Sequence, residues 1–255
     1  MTRRIGYLGP PGTFTEEAAL LDDSQAELVE YPSISQVALA VVCRQVGEGV
    51  VPIENSIGGS VPETLDVLIH QPRLSIQNEI SLPIHLYLLV KPGTERDSIH
   101  TIFSPPQPLA QAQRFLDRYF PQARRLAAPS TSAAVEQMMQ DSQGAAAIGT
   151  RRAARLCHAK VLARRIQDYP VNVTRFVVLA KADHAATGDD RTSLCFSFAD
   201  DKPGQLAAVL QELASRGINL IKIESRPVNR TPGRYYFLLD LEGHRQEAHI
   251  AEALG

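Results

Sequence analysis

Over the first hundred residues, short apolar runs alternate with amphipathic stretches, the rhythm of strands followed by helices. Arg4 to Gly9 reads as a strand ending in the turn Gly9-Pro-Pro-Gly12, and Thr13-Phe-Thr-Glu-Glu17 offers helix caps ahead of the apolar stretch Ala18 to Leu21. Leu28 to Tyr31 predicts a second strand. Ser33 or Ser35 then caps a helix through Val46, with Val37, Val41 and Val42 near one face. Gly49 to Glu54 predicts a strand opening into the polar loop Asn55-Ser-Ile-Gly-Gly-Ser60, and Val61 to His70 a helix that tolerates Pro62 in its first turn. Pro83 to Val90 reads as one strongly apolar strand.

A second unit follows Lys91-Pro-Gly93. Its pattern predicts a strand at Ile99 to Phe103, a proline-rich turn at Ser104-Pro-Pro-Gln-Pro108, and a helix from Leu109 to Phe120. Ser132 to Met139 begins another helix, Ala145 to Gly149 is a buried strand, and Arg151 to Cys157 a helix. The run Asp168 to Thr174 leads into the strand Arg175 to Leu179. Such an order implies an α/β layered core in two lobes, with a cleft between them.

The small, polar stretch Asp183 to Asp190 reads as a linker, and the rhythm changes after it. Strand Thr192 to Phe198 precedes a helix from Pro203 to Ser215 with Leu206, Val209, Leu210 and Leu213 inward. Strand Ile218 to Glu224, turn Asn229 to Gly233, strand Tyr235 to Leu241 and a helix over residues 245 to 254 complete β-α-β-β-α. That is a ferredoxin-like βαββαβ unit up to its last strand, which leaves open whether the unit is truncated.

Composition changes this picture little. The chain has 255 residues, long enough for two domains, with 26 Lys plus Arg against 28 Asp plus Glu. This balance gives no pull toward nucleic acid or an anionic membrane, and no apolar run reaches the length of a membrane helix. Cys43, Cys157 and Cys195 are widely spaced and odd in number, which predicts reduced, buried thiols in a cytoplasmic protein. The scattered histidines include no HExxH, so no metal is expected. Gly6, Gly9 and Gly12 are spaced GxxGxxG rather than GxGxxG, and no dinucleotide cofactor is expected either.

What remains is neutral polar chemistry at the ends of predicted strands. Thr13 and Thr15 lie where a helix start can receive an anion. Asn55 and Ser56 follow a buried strand, where α/β proteins bind ligands, although an ordinary strand-to-helix loop fits the same pattern. Asn172-Val-Thr-Arg-Phe176 sets an amide, a hydroxyl, a guanidinium and a ring at a strand start. Arg175 there suits a carboxylate, or equally a surface position. Ser104, Gln107 and Gln111, and separately Ser130, Thr131 and Ser132, form similar polar groups.

Residues 4 to 180 resemble the catalytic domain of prephenate dehydratases. Gly9-Pro-Pro-Gly-Thr-Phe-Thr15 is similar to that family's GPxGTxT, and Pro52-Ile-Glu-Asn-Ser-Ile-Gly-Gly-Ser-Val61 to its PIENSxxGxV. Thr131-Ser-Ala-Ala134, Ala146-Ala-Ile-Gly149 and Asn172-Val-Thr-Arg-Phe176 match later blocks in order. One departure stands out: the family's SHPQ is Ser104-Pro-Pro-Gln107 here, with Pro105 in place of histidine. Residues 192 to 255 resemble an ACT regulatory domain, with Pro203-Gly-Gln-Leu206 and Ile223-Glu-Ser-Arg-Pro227 as the matching segments.

The resemblance implies a two-lobed, periplasmic-binding-like α/β catalytic domain over 1–181, with lobes of about 1–85 plus 170–181 and 86–169. It implies a linker at 182–190 and an α+β ferredoxin-like ACT domain over 191–255. The implied activity is cofactor-free conversion of prephenate to phenylpyruvate in the cytoplasm. Thr174, Arg175, Asn55, Ser104 and Gln111 are its expected catalytic groups, with Thr13, Ser56, Gln107, Thr131, Ser132 and Phe176 binding substrate. Thr174 is expected to donate a hydrogen bond to the departing ring oxygen. Phenylalanine is the expected regulatory ligand at Gly204, Leu206, Asn219, Leu220, Glu224, Ser225 and Arg226, in a homodimer or homotetramer. The rival expectation is a noncatalytic two-lobed protein that binds and senses prephenate or an aromatic amino acid.

Overall fold

The computed structural model describes residues 2–141, 144–200, 202–228 and 233–255. The chain divides into two compact units, 1–183 and 184–255. In the first unit the chain runs through β1 (Arg4–Leu8), α1 (Phe14–Asp22), β2 (Glu27–Tyr31), α2 (Ile34–Val42), β3 (Glu48–Asn55), β4 (Gly59–Ser60), α3 (Pro62–His70) and β5 (Ser75–Pro83). It crosses to a second lobe built of β6 (Tyr87–Val90), β7 (Thr101–Ser104), α4 (Pro106–Gln111), α5 (Gln113–Tyr119), β8 (Arg124–Ala127), α6 (Thr131–Gln140), β9 (Ala145–Gly149), α7 (Arg151–Leu156) and β10 (Lys160–Arg164). β11 (Val173–Ala180) returns to the first lobe. Among the described residues the first sheet has the order β2-β1-β3-β11-β5, with β4 on β3, and the second β10-β6-β9-β7-β8.

Side-chain caps set the helix starts. Thr13, Ser33, Ser130 and Thr150 each accept an N–H from the first turn of the helix that follows. The first lobe buries Ile5, Tyr7, Val50, Phe176 and Val178 under α1. The second buries Leu86, Leu88, Ile102, Leu116 and Ile148 on one side of its sheet, and Leu89, Val135, Met138 and Ala147 on the other.

The unit over 184–255 contains β12 (Arg191–Phe196), α8 (Gln205–Ser215), β13 (Leu220–Pro227), β14 (Tyr235–Glu242) and α9 (Ala248–Leu254). Its antiparallel sheet has the order β12-β14-β13, and Leu213, Ile218, Leu239, Leu241 and Ile250 form its core. The architecture is therefore a mixed α/β domain plus a small α+β unit with an antiparallel sheet. No helix of the described residues is long and apolar enough to cross a membrane.

Several expectations are corrected. Pro83 to Val90 is not one strand: β5 ends at Pro83, residues 84–86 pass between the lobes, and β6 starts at Tyr87. The expected helix Leu109 to Phe120 is broken at Ala112, and α2 ends at Val42 because Arg44 takes φ 59°. The cysteines are free, but Cys43 and Cys195 are exposed rather than buried. Cys43 terminates α2, and Cys195 points away from the core on an edge strand. The turn expected at Asn229 to Gly233 lies, apart from Gly233, outside the described residues.

Candidate active site

Strand register assembles the centre of the site. Thr174 on β11 is paired with Asn55 on β3, so their side chains share a sheet face. The Asn55 amide Nδ2 donates to Thr174 Oγ1 at 2.9 Å and to Asn172 Oδ1 at 2.8 Å. Asn172 Nδ2 in turn donates to Gln111 Oε1 at 3.0 Å, which carries the chain of amides from the first lobe to the end of α4 in the second. Ser56 braces it: its N–H donates to the Val173 carbonyl at 2.8 Å, and its Oγ accepts from Val173 N at 3.0 Å. Gln107 reaches the same loop, with its Nε2 2.5 Å from where a Cβ on Gly58 would lie.

A second set of contacts joins the lobes around the first turn of α1. Thr150 Oγ1 donates to the Gly12 carbonyl at 2.6 Å, and Arg152 Nη2 to Glu16 Oε1 at 2.7 Å. Arg152 Nε donates to the other Glu16 oxygen, which also accepts from Gly12 N at 2.7 Å. Glu16 therefore fills with its own carboxylate part of the anion position that the helix start was expected to offer. That bond holds the Arg152 guanidinium above its ordinary value, whereas burial pushes the neighbouring Glu17 carboxyl up against the attraction of Arg152. Thr13 is occupied as the α1 cap. Thr131 and Ser132 are buried at the start of α6, and the Ser132 Oγ has no hydrogen-bond partner among the described residues.

Three expected contacts fall elsewhere. Arg175 points to the opposite face of β11 from Thr174, as strand alternation requires. There its Nη1 donates to Glu54 at 2.7 Å, and its Nε and Nη2 to Glu79 at 3.0 and 2.8 Å. Two carboxylates hold it, so the guanidinium braces β3, β11 and β5 rather than standing ready for a substrate carboxylate. Phe176 is 1% exposed and belongs to the core. Ser104 is fully buried, and its Oγ donates to the Pro105 carbonyl at 3.1 Å, which makes it part of the β7–α4 turn.

Asn172 is the group the expected set omits, although it heads the Asn172-Val-Thr-Arg-Phe176 segment. The Glu16–Arg152 pair spans 136 residues and left no local signal.

In the C-terminal unit, Gly204 stands at the α8 start with φ 88°, and Leu206 is half-buried on that helix. The Asn219 carbonyl accepts from Glu242 N at 3.0 Å, and Leu220 packs on the core. Glu224 lies 3.5 Å from Lys222, whereas Ser225 is paired with Phe237. Alternation thus puts Glu224 and Arg226 on one face of β13 and Ser225 on the other.

Comparison with known proteins places this geometry. Residues 5–184 match the family model for prephenate dehydratase, and residues 194–255 that for the ACT domain. A bifunctional chorismate mutase/prephenate dehydratase of Aquifex aeolicus is 38% identical over 98% of this chain and 68% of its own length. A prephenate dehydratase of Bacillus subtilis is 37% identical, covering 94% of this chain and 88% of that protein. The crystal structure of an Arthrobacter aurescens prephenate dehydratase in complex with L-Phe superposes with a TM-score of 0.92 at 33% identity, over 98% of this chain and 84% of that one.

Proposed function

This chain belongs to the prephenate dehydratase family and carries its lyase activity, converting prephenate to phenylpyruvate; we propose that Thr174, held by Asn55, is the group that acts on the departing oxygen. The reaction turns a prephenate dianion and one proton into the phenylpyruvate anion, carbon dioxide and water. Aromatisation of the ring supplies the driving force, and the protein must help a hydroxyl leave while the ring carboxylate departs as carbon dioxide.

The observation that carries the reading is the 2.9 Å bond from Asn55 Nδ2 to Thr174 Oγ1. A hydroxyl that accepts a bond from an amide has its own proton to give elsewhere. The leaving oxygen is the natural acceptor, because negative charge develops there in the transition state. A threonine hydroxyl is a weak acid, so Thr174 polarises the carbon–oxygen bond and water completes the proton transfer. Gln111, Gln107 and Ser132 orient the substrate, and Ser56 keeps the Asn55 loop in place. Arg175 supports this arrangement from the far face of β11 through Glu54 and Glu79. No step calls for a metal or an organic cofactor.

The C-terminal unit binds phenylalanine and lowers turnover when it does, in a homodimer or homotetramer. This part rests on the ACT match and on the L-Phe held by the Arthrobacter relative. Strand alternation on β13 favours Glu224 and Arg226 together as the polar side of that site.

The test is phenylpyruvate formation by the purified chain, without added metal or cofactor and with and without phenylalanine. Wild-type turnover, reduced by phenylalanine and cut about 10²–10³-fold by Thr174→Ala, is the expected result. Prephenate binding without turnover, or a fully active Thr174→Ala variant, would remove Thr174 from its role.

A further inference from the structure

The chain of amides beside Thr174 has a direction, and that direction is fixed by main-chain groups that cannot turn over. Asn55 Oδ1 accepts from Ile57 N at 3.0 Å and Gly58 N at 2.9 Å. Its NH2 group must therefore face Thr174 and Asn172. Asn172 has to present its oxygen to Asn55, which leaves its own NH2 group for Gln111 Oε1 at 3.0 Å. Gln111 is then committed as an acceptor on this side, and its NH2 group has no acceptor among the described residues. Each amide takes the only orientation its neighbour allows.

Asn172 also sits where the lobes are joined. It belongs to the second of the two crossing segments, and its carbonyl accepts from Ile84 N of the first at 2.7 Å. Its side chain is 3% exposed, and it connects groups from both lobes: Asn55 on β3 and Gln111 on α4.

We propose that Asn172 is a positioning residue for the reaction: it holds the Asn55 NH2 group on Thr174 Oγ1 and passes the polarity fixed at Asn55 on to Gln111, whose NH2 group is left for substrate. The proposal rests on the reading of Thr174 as the donor to the leaving oxygen. Asn172 acts through Asn55 and Gln111 and does not touch the reacting atoms. Because one partner comes from each lobe, the polarity is complete only while the lobes are joined as they are here. A lobe separation that broke the Asn172–Gln111 bond would leave Gln111 free to invert its amide and present oxygen to an anionic substrate.

The experiment is a double-mutant cycle on steady-state kinetics, with melting temperature as the fold control. Asn172→Ala is expected to lower kcat about tenfold, the worth of one buried hydrogen bond, with KM changed less than about threefold. In the Thr174→Ala background the same substitution is expected to change kcat less than about twofold. An equal loss in both backgrounds would overturn the proposal, since a merely structural residue costs the same with or without Thr174. A fully active Thr174→Ala variant would instead overturn the underlying reading of Thr174, so the two failures are distinguishable.

Asn172→Asp keeps the experiment decisive if the alanine variant fails to fold. Ionised, the introduced carboxyl is acceptor-only and opposes Gln111 Oε1; protonated, it donates and accepts as the amide does. The ratio of variant to wild-type kcat is therefore expected to rise as pH falls through the titration of that carboxyl. A ratio independent of pH would contradict the assigned polarity.

Discussion

Gly12 tests whether the lobe junction described here is the one in which turnover occurs. It has φ +85°, and a Cβ there would lie 2.8 Å from Ser132 Oγ and 3.1 Å from both Cα and Cβ of Ala153. Alanine at this position carries two costs. The left-handed backbone itself costs about 1 kcal/mol for an L residue. The contacts add more, because Ala153 Cα is main chain and can be relieved only by moving one lobe from the other. That movement strains the 2.6 Å bond from Thr150 Oγ1 to the Gly12 carbonyl and the 2.7 Å bond from Arg152 Nη2 to Glu16 Oε1. Two such bonds, at about 1 kcal/mol each, bring the junction's share to about 2 kcal/mol, or roughly a thirtyfold shift in the population with joined lobes. Gly93 supplies the control: its φ is +89°, and nothing lies within 4 Å of an added Cβ. Gly93→Ala is expected to lower the melting temperature by about 2–4 °C and leave kcat/KM unchanged. Gly12→Ala is expected to lower it by about 6–12 °C and to cut kcat/KM roughly thirtyfold. If both variants show the same melting temperature and the same kcat/KM, the junction at Gly12 contributes nothing to the active arrangement and the reasoning fails.

Two further outcomes follow from burial. Phe176→Ala is expected to cost about 3–5 kcal/mol of stability with KM unchanged in the folded protein, because the ring is core; a raised KM at an unchanged melting temperature would return the ring to the ligand. Glu17 sets a pH dependence. Burial raises its carboxyl in the folded state, so just above the ordinary carboxylate range the folded form holds more protons than the unfolded chain, and stability falls as pH rises. Glu17→Gln is therefore expected to stabilise the protein at neutral pH, by about 0.5 kcal/mol or ~1–2 °C, and to make no difference well below the carboxylate range. A destabilised glutamine variant at neutral pH would mean that attraction to Arg152 outweighs burial.

The central elements were legible in the sequence because their signals are local. β1, β3 and β9 are short apolar runs closed by turns, and Thr13 and Ser33 announce helices with caps that the structure uses. Apart from the two-residue β4, the strands that escaped, β5, β8 and β10, lie at sheet edges. An edge strand packs on fewer neighbours, so charged and polar residues such as Arg124, Arg125, Lys160 and Arg164 are tolerated and dilute the apolar pattern. The run Pro83 to Val90 misled for the opposite reason. A buried passage between lobes is as apolar as a strand, and hydropathy does not separate the two. The break at Ala112 is tertiary in origin: Asp168 N takes the Gln111 carbonyl at 2.7 Å, and its carboxylate takes the N–H groups of Arg114 and Phe115. A partner more than fifty residues away ends one helix and starts the next.

The same division between local and distant signals runs through the site. Asn55 and Thr174 stood out as polar residues beside apolar strands, whereas their register, and with it the separation of Thr174 from Arg175, exists only once β3 and β11 pair. That separation bears on the chemistry. The groups that reach Thr174 are amides, while the strongly charged ones nearby are matched among themselves, Arg175 with Glu54 and Glu79 and Arg152 with Glu16. In the reaction, negative charge must leave the ring carboxylate and appear on the departing oxygen. A cation clamped to that carboxylate would stabilise the charge where it starts and oppose its movement. Neutral donors aimed at the leaving oxygen favour the charge where it arrives, and only interactions stronger in the transition state than in the ground state raise kcat. With Thr174 in its proposed role, a network of amides with fixed polarity meets that requirement without a proton of its own to lose, and the pairing of Arg175 on the far face of β11 keeps its charge out of the contest.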